Sequence, residues 1–286
     1  MSLAQTEKAG ENTSELTEES PPASVSARYP YREQLMGVCY DNMTKSQALL
    51  QADVLLNRSG GKSASTLFFL NVHSIYLAES DSDFRKFINE ADLVLPDGSG
   101  IAYAGKALAQ PVKANLNGTD FIPLLLKQCG PTQKSVYLLG STREICLKAK
   151  TYVEQHFAGI RVVGARSGYF SKNEEEEVIA EINLTRPDIL LVAMGSPRQE
   201  KWIYGNAYRL DAGICCGVGG LFDFWSGKFK RSPMWIRRYG VEWLYRFMQD
   251  PFGKWKRVLF ENPRFVLQVR WQLLRNRIKG TSGEIT

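Results

Sequence analysis

Short apolar runs alternate with amphipathic stretches along most of this 286-residue chain. Each run is followed within two residues by glycine, asparagine or aspartate, and the runs are 37–40, 66–70, 93–95, 135–139, 160–163, 189–194 and 213–216. Short apolar strands separated by helical patterns are typical of a parallel sheet covered by helices. The sequence therefore predicts an α/β fold with a mostly parallel sheet and helices on both faces.

The pattern changes near both ends and divides the chain into three parts. Residues 1–28 are rich in Glu, Ser, Thr, Ala and Pro and poor in large apolar residues, which is typical of a disordered tail. The strand pattern predicts an α/β core over 29–232. Beyond it, 235–249 and 263–279 are predicted helices, broken at 251–253 and at 262–263. We expect 233–286 to form a helical appendage.

Three predicted helix starts carry capping-box patterns. Thr44 and Gln47, Ser141 and Glu144, and Ser196 and Gln199 each pair a hydroxyl residue with Glu or Gln three positions later. In the third, Pro197 occupies the first predicted helical position.

The net charge of +6 is concentrated in the C-terminal fifth of the chain. From Lys228 onward there are 14 Lys and Arg against 4 Asp and Glu, whereas the preceding residues hold 22 against 26. Four of the six tryptophans lie in the same part: Trp235, Trp243, Trp255 and Trp271. Basic and aromatic residues together indicate a membrane surface, a nucleic acid or phosphates as partner, although a solvated helix pair explains them equally well.

The composition also argues against several classes of protein. No stretch reaches the roughly 18 apolar residues of a spanning helix, and the N-terminus lacks a signal-peptide pattern, so we expect a cytoplasmic protein. Five cysteines and two histidines, without paired metal-ligand spacing, argue against a zinc site and a disulfide scaffold.

Asp97 follows a predicted strand in the segment Leu-Pro-Asp-Gly-Ser-Gly at 95–100. Ligands of open parallel sheets bind at the carboxyl ends of the strands, so Asp97 is a candidate general base. Alternatively, its carboxylate only shapes the glycine turn.

Two further strand ends carry candidate binding residues. Gly195 and Gln199 lie where a strand gives way to a helix, which is a typical anion site, although Gln199 could instead close a capping box. Gly219 lies in the glycine-rich segment 217–220, which lacks the Walker and dinucleotide patterns and is read as a tight turn. Asp223, just after it, could bind a ribose or base, or begin a helix.

Other chemically suggestive residues have a structural interpretation. Asp81 and Asp83 form an Asp-x-Asp pattern, but we expect them to interact with a helix dipole and expect no metal site. His73 is placed near the site without a catalytic role. Cys215 and Cys216 lie in an apolar strand and are expected to pack in the core.

The strand-end motifs, in their order and spacing from about Val38 to about Arg257, resemble the WecG/TagA/CpsF family of glycosyltransferases, family twenty-six. The matching residues are Asn71, Leu95-Pro96-Asp97-Gly98, Asn117-Gly118-Thr119-Asp120, Leu138-Leu139-Gly140, Gly168-Tyr169-Phe170, Gly195-x-Pro197-x-Gln199-Glu200-x-Trp202, Gly217-x-Gly219-Gly220-x-Phe222-Asp223, Arg231-x-Pro233 and Glu242-Trp243-Leu244-Tyr245-Arg246.

The resemblance implies a Rossmann-like fold and an inverting transfer of sugar from a nucleotide-diphosphate donor, such as a UDP-sugar, to a lipid-diphosphate-linked saccharide. This reaction belongs to surface polysaccharide biosynthesis. It implies that Asp97 is the general base, that Asn71 and Gln199 line the donor pocket, that Asp223 lies near the nucleotide, and that Arg246 completes the site. We also include Gly118, Asp120, Gly140, Gly195 and Gly219 as substrate-binding candidates.

The resemblance further implies that the basic appendage, 233–286, docks on the membrane. The protein would then be cytoplasmic and peripheral on the inner face of the membrane, with no nucleic acid partner; a homo-oligomer is left open. We expect Arg246, Lys256 and the helix start near Ser196 to neutralise the leaving diphosphate, without a metal or other cofactor.

Three positions depart from the family pattern. Phe69 stands where the family often has Thr, Asn115 where it often has Arg, and Gly253 where it often has Arg. The first two are expected near the donor pocket, where they put the donor sugar and the retention of activity in question.

Two rival classes of protein explain the sequence less completely. A dinucleotide-dependent oxidoreductase requires an early glycine fingerprint followed by an acidic residue about 20 positions on, and neither is found. A non-enzymatic basic module that binds nucleic acid or a membrane surface would explain the C-terminal charge but not the polar strand ends.

Overall fold

The computed structural model describes residues 31–58, 63–233, 236 and 241–282. The predicted disordered tail, 1–28, lies outside the described residues. So do Trp235 and 237–240, which were part of a predicted helix.

Strands and helices alternate through the described chain. In order, they are β1 (Arg32–Leu35), β2 (Val38–Asp41), α1 (Lys45–Leu56), β3 (Ser65–Leu70), α2 (Val72–Ser80), α3 (Ser82–Glu90), β4 (Leu93–Pro96), α4 (Ser99–Ala107), α5 (Gly118–Cys129), β5 (Ser135–Gly140), α6 (Arg143–His156), β6 (Arg161–Arg166), α7 (Glu175–Thr185), β7 (Ile189–Ala193), α8 (Arg198–Asn206), β8 (Ile214–Gly217), α9 (Leu221–Trp225), α10 (Glu242–Gln249), α11 (Pro251–Lys256), a π-helical segment (Arg257–Glu261) and α12 (Asn262–Ser282).

Six of the strands form one parallel sheet in the order β4-β3-β8-β7-β5-β6. Successive strand residues face opposite sides, so Phe68 and Cys215 belong to one buried cluster and Phe69 and Cys216 to the other. Both faces of the sheet are therefore covered, which confirms the predicted α/β fold. The expected core packing of Cys215 and Cys216 is also confirmed, since both are fully buried.

The apolar run at 37–40 is the exception, because it does not join the parallel sheet. It forms β2, which pairs antiparallel with β1 across a turn at Met36 and Gly37. The sequence missed β1 because its residues are mostly polar. A buried ion pair between Arg32 of β1 and Asp41 of β2, at 2.9 Å, links the two strands of the hairpin, and a hydrogen bond from Val94 N–H to Asp41 attaches it to β4.

Only the first predicted capping box is present as predicted. Thr44 and Gln47 bond reciprocally at the start of α1. Thr142, not Ser141, caps α6 by accepting from the Ile145 N–H. Helix α8 begins at Arg198 without a side-chain cap, because Pro197 at the N-cap has no side-chain acceptor. The Ser196 hydroxyl donates to Glu200 instead, and Gln199 accepts from the Gly195 N–H.

The predicted interruption at 262–263 is wrong. Helix α11, the π-helical segment and α12 follow one another directly, and the break lies earlier, at Asp250. A π-helical turn changes the hydrogen-bond spacing just before Pro263, where a proline lacks the N–H that a regular helix would use.

Helix α12 packs back on the core through Phe265 and Val269, which are buried in the same cluster as Ile75 of α2 and Ile101 of α4. This packing places the C-terminal helices against the carboxyl ends of β3 and β4. None of the helices in the described residues combines the length and the apolar character needed to cross a bilayer.

Candidate active site

Two adjoining cavities lie at the carboxyl ends of β4, β3, β8 and β7. The first has a volume of about 230 Å³ and the second about 480 Å³. The side chains that line both are Asn71, His73, Asp97, Asn117, Arg246 and Arg257. Residues from the sheet and from the C-terminal helices thus meet at one junction, which is the arrangement expected for two substrates that react with each other.

Asp97 stands at this junction, directly after β4. Its backbone N–H donates to Leu70 O at 2.7 Å, and its carboxylate Oδ2 lies 3.5 Å from Nδ2 of Asn71. The following Gly98 N–H donates to Asn115 Oδ1 at 2.8 Å. Asn115 therefore holds the glycine turn, and the Asp97 carboxylate is left facing the cavities.

Burial raises the pKa of Asp97, and the carboxylates of Glu242 and Asp120 raise it further. The positive charge of Arg246 and the Asn71 hydrogen bond act in the opposite direction. A carboxylate with a raised pKa is a stronger base than an exposed one, so the site is suited to accept a proton from a hydroxyl group.

Gln199 braces two glycine loops from a buried position. Its Oε1 accepts the N–H of Gly195 at 3.2 Å and of Gly219 at 2.9 Å, while its Nε2 donates to Glu200 at 2.8 Å. Both glycines have positive φ, 78° and 55°, a conformation that residues with a Cβ rarely adopt. The Gln199 amide thereby fixes the loops that follow β7 and β8 in one arrangement around the first cavity.

Glu200, beside Gln199, is buried in the first turn of α8. Its Oε1 accepts from Ser196 Oγ at 2.7 Å, and its Oε2 is a buried atom without a hydrogen-bond partner among the described residues. Burial raises the pKa of Glu200.

The glycine-rich segment after β8 forms one wall of the first cavity. Gly217–Gly220 line it, as do Asp223 and Phe224 of α9. Lys228 Nζ lies 3.3 Å from Asp223 Oδ1. Asp223 thus presents a paired carboxylate beside a backbone turn, which can accept hydrogen bonds from a polar ligand.

Two arginines from the C-terminal helices face the junction. The Arg246 guanidinium lies 4.7 Å from the centre of the Phe224 ring, and its buried Nε has no hydrogen-bond partner in the described part of the chain. Arg257, in the π-helical segment, is half-buried; burial lowers its pKa, and the neighbouring Arg246 lowers it further. The junction therefore holds two cations suited to an anionic ligand.

The second cavity has a more apolar lining than the first. It lies between the start of α4 and the C-terminal helices, and its apolar walls are Val72, Tyr103, Trp243, Val258, Phe265 and Val266. Asn115 and Glu261 add polar groups to it.

Most of the sequence-predicted site residues come together here. Asp97, Asn71 and Arg246 line both cavities, and Gly118, Gly195, Gln199, Gly219 and Asp223 line the first.

Three candidates lie outside both cavities. Asp120, in the first turn of α5, forms an ion pair with Arg231. Gly140, at the end of β5, packs against Ala193. Lys256 is exposed, with Nζ 5.7 Å from the centre of the Trp255 ring.

The Asp-x-Asp pattern has the expected structural role. Asp81 caps α3 by accepting from the Phe84 N–H at 2.9 Å, and it pairs with Lys201 at 2.6 Å; Asp83 lies in the first turn. Of the three departures from the family pattern, Phe69 lines the first cavity and Asn115 the second, whereas Gly253 lines neither.

Sequence reasoning did not select Arg257, Glu200 or Glu261 as site residues, although Glu200 belongs to one of the matching motifs. Arg246 and Arg257 lie on different helical segments, on either side of the break at Asp250, so local helical spacing could not reveal that both side chains reach one junction.

Comparison with known proteins gives a consistent picture. The sequence pattern of the family described as "Glycosyl transferase WecG/TagA/CpsF family" matches residues 33–279. A protein of Bacillus spizizenii named N-acetylglucosaminyldiphosphoundecaprenol N-acetyl-beta-D-mannosaminyltransferase is 31% identical over 186 residues, which cover 65% of this chain and 71% of the relative. A protein of Staphylococcus aureus with the same name is 30% identical over 226 residues, which cover 78% of this chain and 85% of the relative.

Proposed function

Since the chain belongs to the WecG/TagA/CpsF family of glycosyltransferases, we propose that it transfers an N-acetylhexosamine from a UDP-sugar to a lipid-diphosphate-linked sugar, with inversion. The relatives named above carry an N-acetylmannosaminyl donor group and an N-acetylglucosaminyl diphospholipid acceptor in their names. The same chemical classes suit this chain, in a step of cell-envelope polysaccharide synthesis.

The observation that carries the proposal is the position of Asp97 between two cavities of different character. The first cavity has a polar wall of glycine backbone and Asp223, which suits the nucleotide diphosphate. The second is more apolar and suits the lipid-linked acceptor sugar. Asp97 faces both, so it can remove the proton of an acceptor hydroxyl as that oxygen attacks the donor sugar. Direct attack from the opposite side inverts the anomeric carbon.

The leaving diphosphate requires positive charge on the side of the first cavity. Arg246 and Arg257 line that cavity, and the backbone N–H groups at the start of α8 add partial positive charge. We assign the two arginines to the developing charge of the diphosphate. Lys256, exposed beside Trp255, adds positive charge to the outer surface of the same segment.

The outer surface of the C-terminal helices suits a membrane that holds the acceptor lipid. Phe252 is 92% exposed, and Met248, Leu259, Phe260, Leu267 and Trp271 are each 60% exposed or more. Basic side chains near an anionic bilayer each contribute about 1 kcal/mol, and aromatic rings partition to the headgroup region. We therefore propose a peripheral enzyme on the cytoplasmic face.

The proposal is tested by combining ligand binding with turnover. UDP-N-acetylhexosamines should raise the melting temperature of the protein, because a ligand bound only to the native state stabilises it. Mixed with an N-acetylglucosaminyl diphospholipid in detergent micelles, the protein should release UDP and extend the lipid-linked sugar. Binding of nicotinamide dinucleotides instead of sugar nucleotides, or release of UDP that is independent of the acceptor, would contradict the proposal.

A further inference from the structure

An ion pair between His73 and Glu261 joins the core to the C-terminal helices at the edge of the site. Nδ1 of His73 lies 2.8 Å from Oε2 of Glu261, and the two side chains are only 16% and 9% exposed. His73 is the second residue of α2, and Glu261 is the last residue of the π-helical segment. His73 lines both cavities and Glu261 lines the second, but the proposed reaction does not use this pair.

Glu261 also compensates the charge of Arg257. The described residues provide no direct ion pair for Arg257, although it is half-buried and lies near a second cation, Arg246. Of the charged groups around Arg257, the Glu261 carboxylate favours its positive charge most strongly, followed in the same direction by Glu200. Without Glu261, repulsion from Arg246 would favour a rotamer that carries Arg257 out of the junction.

We propose that Glu261 is a positioning residue for glycosyl transfer, because it anchors the π-helical segment to His73 and keeps Arg257 facing the junction of the two cavities. The inference rests on the proposed function, in which Arg257 meets the donor diphosphate. Glu261 acts through Arg257 and takes no part in the chemistry itself.

The contact between α2 and the C-terminal helices also provides a matched control. Farther along, Arg264 of α12 pairs with Glu79 of α2 at 3.0 Å and lies 5.6 Å from the centre of the Tyr76 ring. Neither Arg264 nor Glu79 lines a cavity. Glu79→Gln therefore weakens the contact between the helices without disturbing Arg257. Glu261→Gln weakens that contact and also removes the carboxylate that compensates Arg257.

The kinetic test compares these two variants with the wild-type enzyme. Glu261→Gln should lower kcat by about 10-fold or more, because the leaving diphosphate loses a positioned cation, while Glu79→Gln stays within about 2-fold. Glu261→Asp, which keeps the charge, should recover part of the loss and provides a second variant if the glutamine form folds poorly. Equal kinetics of Glu261→Gln and Glu79→Gln in an active enzyme would overturn the inference and leave the proposed function standing.

A second measurement needs no substrate. The chain has two histidines, and the other, His156, is an exposed residue of α6 that stacks on Tyr152. Burial and Arg257 lower the pKa of His73, whereas Glu261 and the Ser196 carbonyl raise it. Glu261→Gln should therefore shift the NMR titration of His73 to lower pH.

The two measurements separate the possible failures. A His73 titration that does not move in Glu261→Gln would overturn the inference. If the wild-type protein transfers no sugar while Glu261→Gln still shifts the His73 titration, the proposed function is overturned, and with it the role of Glu261 in transfer.

Discussion

The two ends of the Asn71 side-chain amide have different partners: the oxygen is held by the start of α2, and the nitrogen points at the Asp97 carboxylate. Oδ1 caps α2 by accepting from the Ser74 N–H at 3.1 Å, and Nδ2 consequently lies 3.5 Å from Asp97 Oδ2. A donor in this position favours the ionised carboxylate and restricts its rotation. The helix cap therefore contributes to the orientation of the base that we assign to the reaction.

Replacing Asp97 with Asn should abolish most turnover while the protein remains folded. The amide has nearly the same shape but cannot accept the proton of an acceptor hydroxyl, and a positioned base typically contributes about 10²–10⁴-fold. We expect a loss of at least about 10²-fold in kcat, measured by UDP release in the presence of acceptor. Calorimetric titration with the UDP-sugar should show retained binding. Undiminished turnover would remove Asp97 from the mechanism.

The pH dependence of kcat/KM should report the environment of Asp97. The base is active only when ionised, so activity falls as the pH decreases through its pKa, which burial places above the ordinary value of about 3.9. Arg246→Gln removes a charge that lowers this pKa, so the acidic limb should move to higher pH. Glu242→Gln removes a charge that raises it, so the limb should move to lower pH. Shifts of the same sign in both variants would contradict the assignment.

Much of the fold could be predicted from the sequence because the central strands are buried on both faces. All six strands of the parallel sheet overlap apolar runs. Five of them are buried along their whole length, which leaves little place for polar residues, whereas the edge strand β6 is only partly buried. The hairpin strand β1 was missed because its polar residues are satisfied by tertiary partners. Arg32 and Glu33 bond Asp41 and Tyr40 on the facing strand, and Arg32 also donates to the distant carbonyls of Asn89 and Ala91. A local pattern does not reveal such partners.

The site was only partly predictable, for a related reason. Asn71, Asp97 and Gln199 follow strands, so sheet geometry alone brings their loops together. Arg257 and Glu261 reach the same place through the packing of α12 on α2, which depends on tertiary contacts such as those of Phe265. The π-helical turn before Pro263 likewise overrides a local signal that normally ends a helix.

Gln199→Ala should weaken donor binding as well as stability. The substitution removes the acceptor for the Gly195 and Gly219 N–H groups, and each such bond contributes about 0.5–1.5 kcal/mol. We expect a loss of about 1–3 kcal/mol in the free energy of unfolding by urea titration, together with a several-fold higher Kd for the UDP-sugar. Gln47→Ala, in the capping box of α1, removes a hydrogen bond remote from the site and should affect stability alone. An unchanged donor Kd in Gln199→Ala would refute the bracing role.

Arg257→Gln should reduce the rate of transfer more than a change of equal charge nearby. Removing one positioned donor from a developing anion typically costs about 10²–10³-fold, although Arg246 remains and should limit the loss toward the lower value. Arg264→Gln on α12 is the control, because Arg264 lines neither cavity. Rates of UDP release at saturating donor and acceptor provide the comparison. If both variants lose activity equally, general charge rather than position explains the effect.

The exposed apolar face of the C-terminal helices should determine binding to membranes. Phe252 and Trp271 are 92% and 64% exposed, on a segment rich in Lys and Arg. Replacing both with Ser should reduce co-sedimentation with vesicles that contain anionic phospholipid, because interfacial aromatic contacts and basic charge act together. Leu184→Ser is the control, since Leu184 is 86% exposed on α7, among acidic residues. Vesicle binding of the wild-type protein should also fall with increasing salt. The difference in binding between the wild type and the double variant should remain at high salt, because the aromatic contacts are not screened. Wild-type binding that is equal on neutral and anionic vesicles would contradict the electrostatic part of this account.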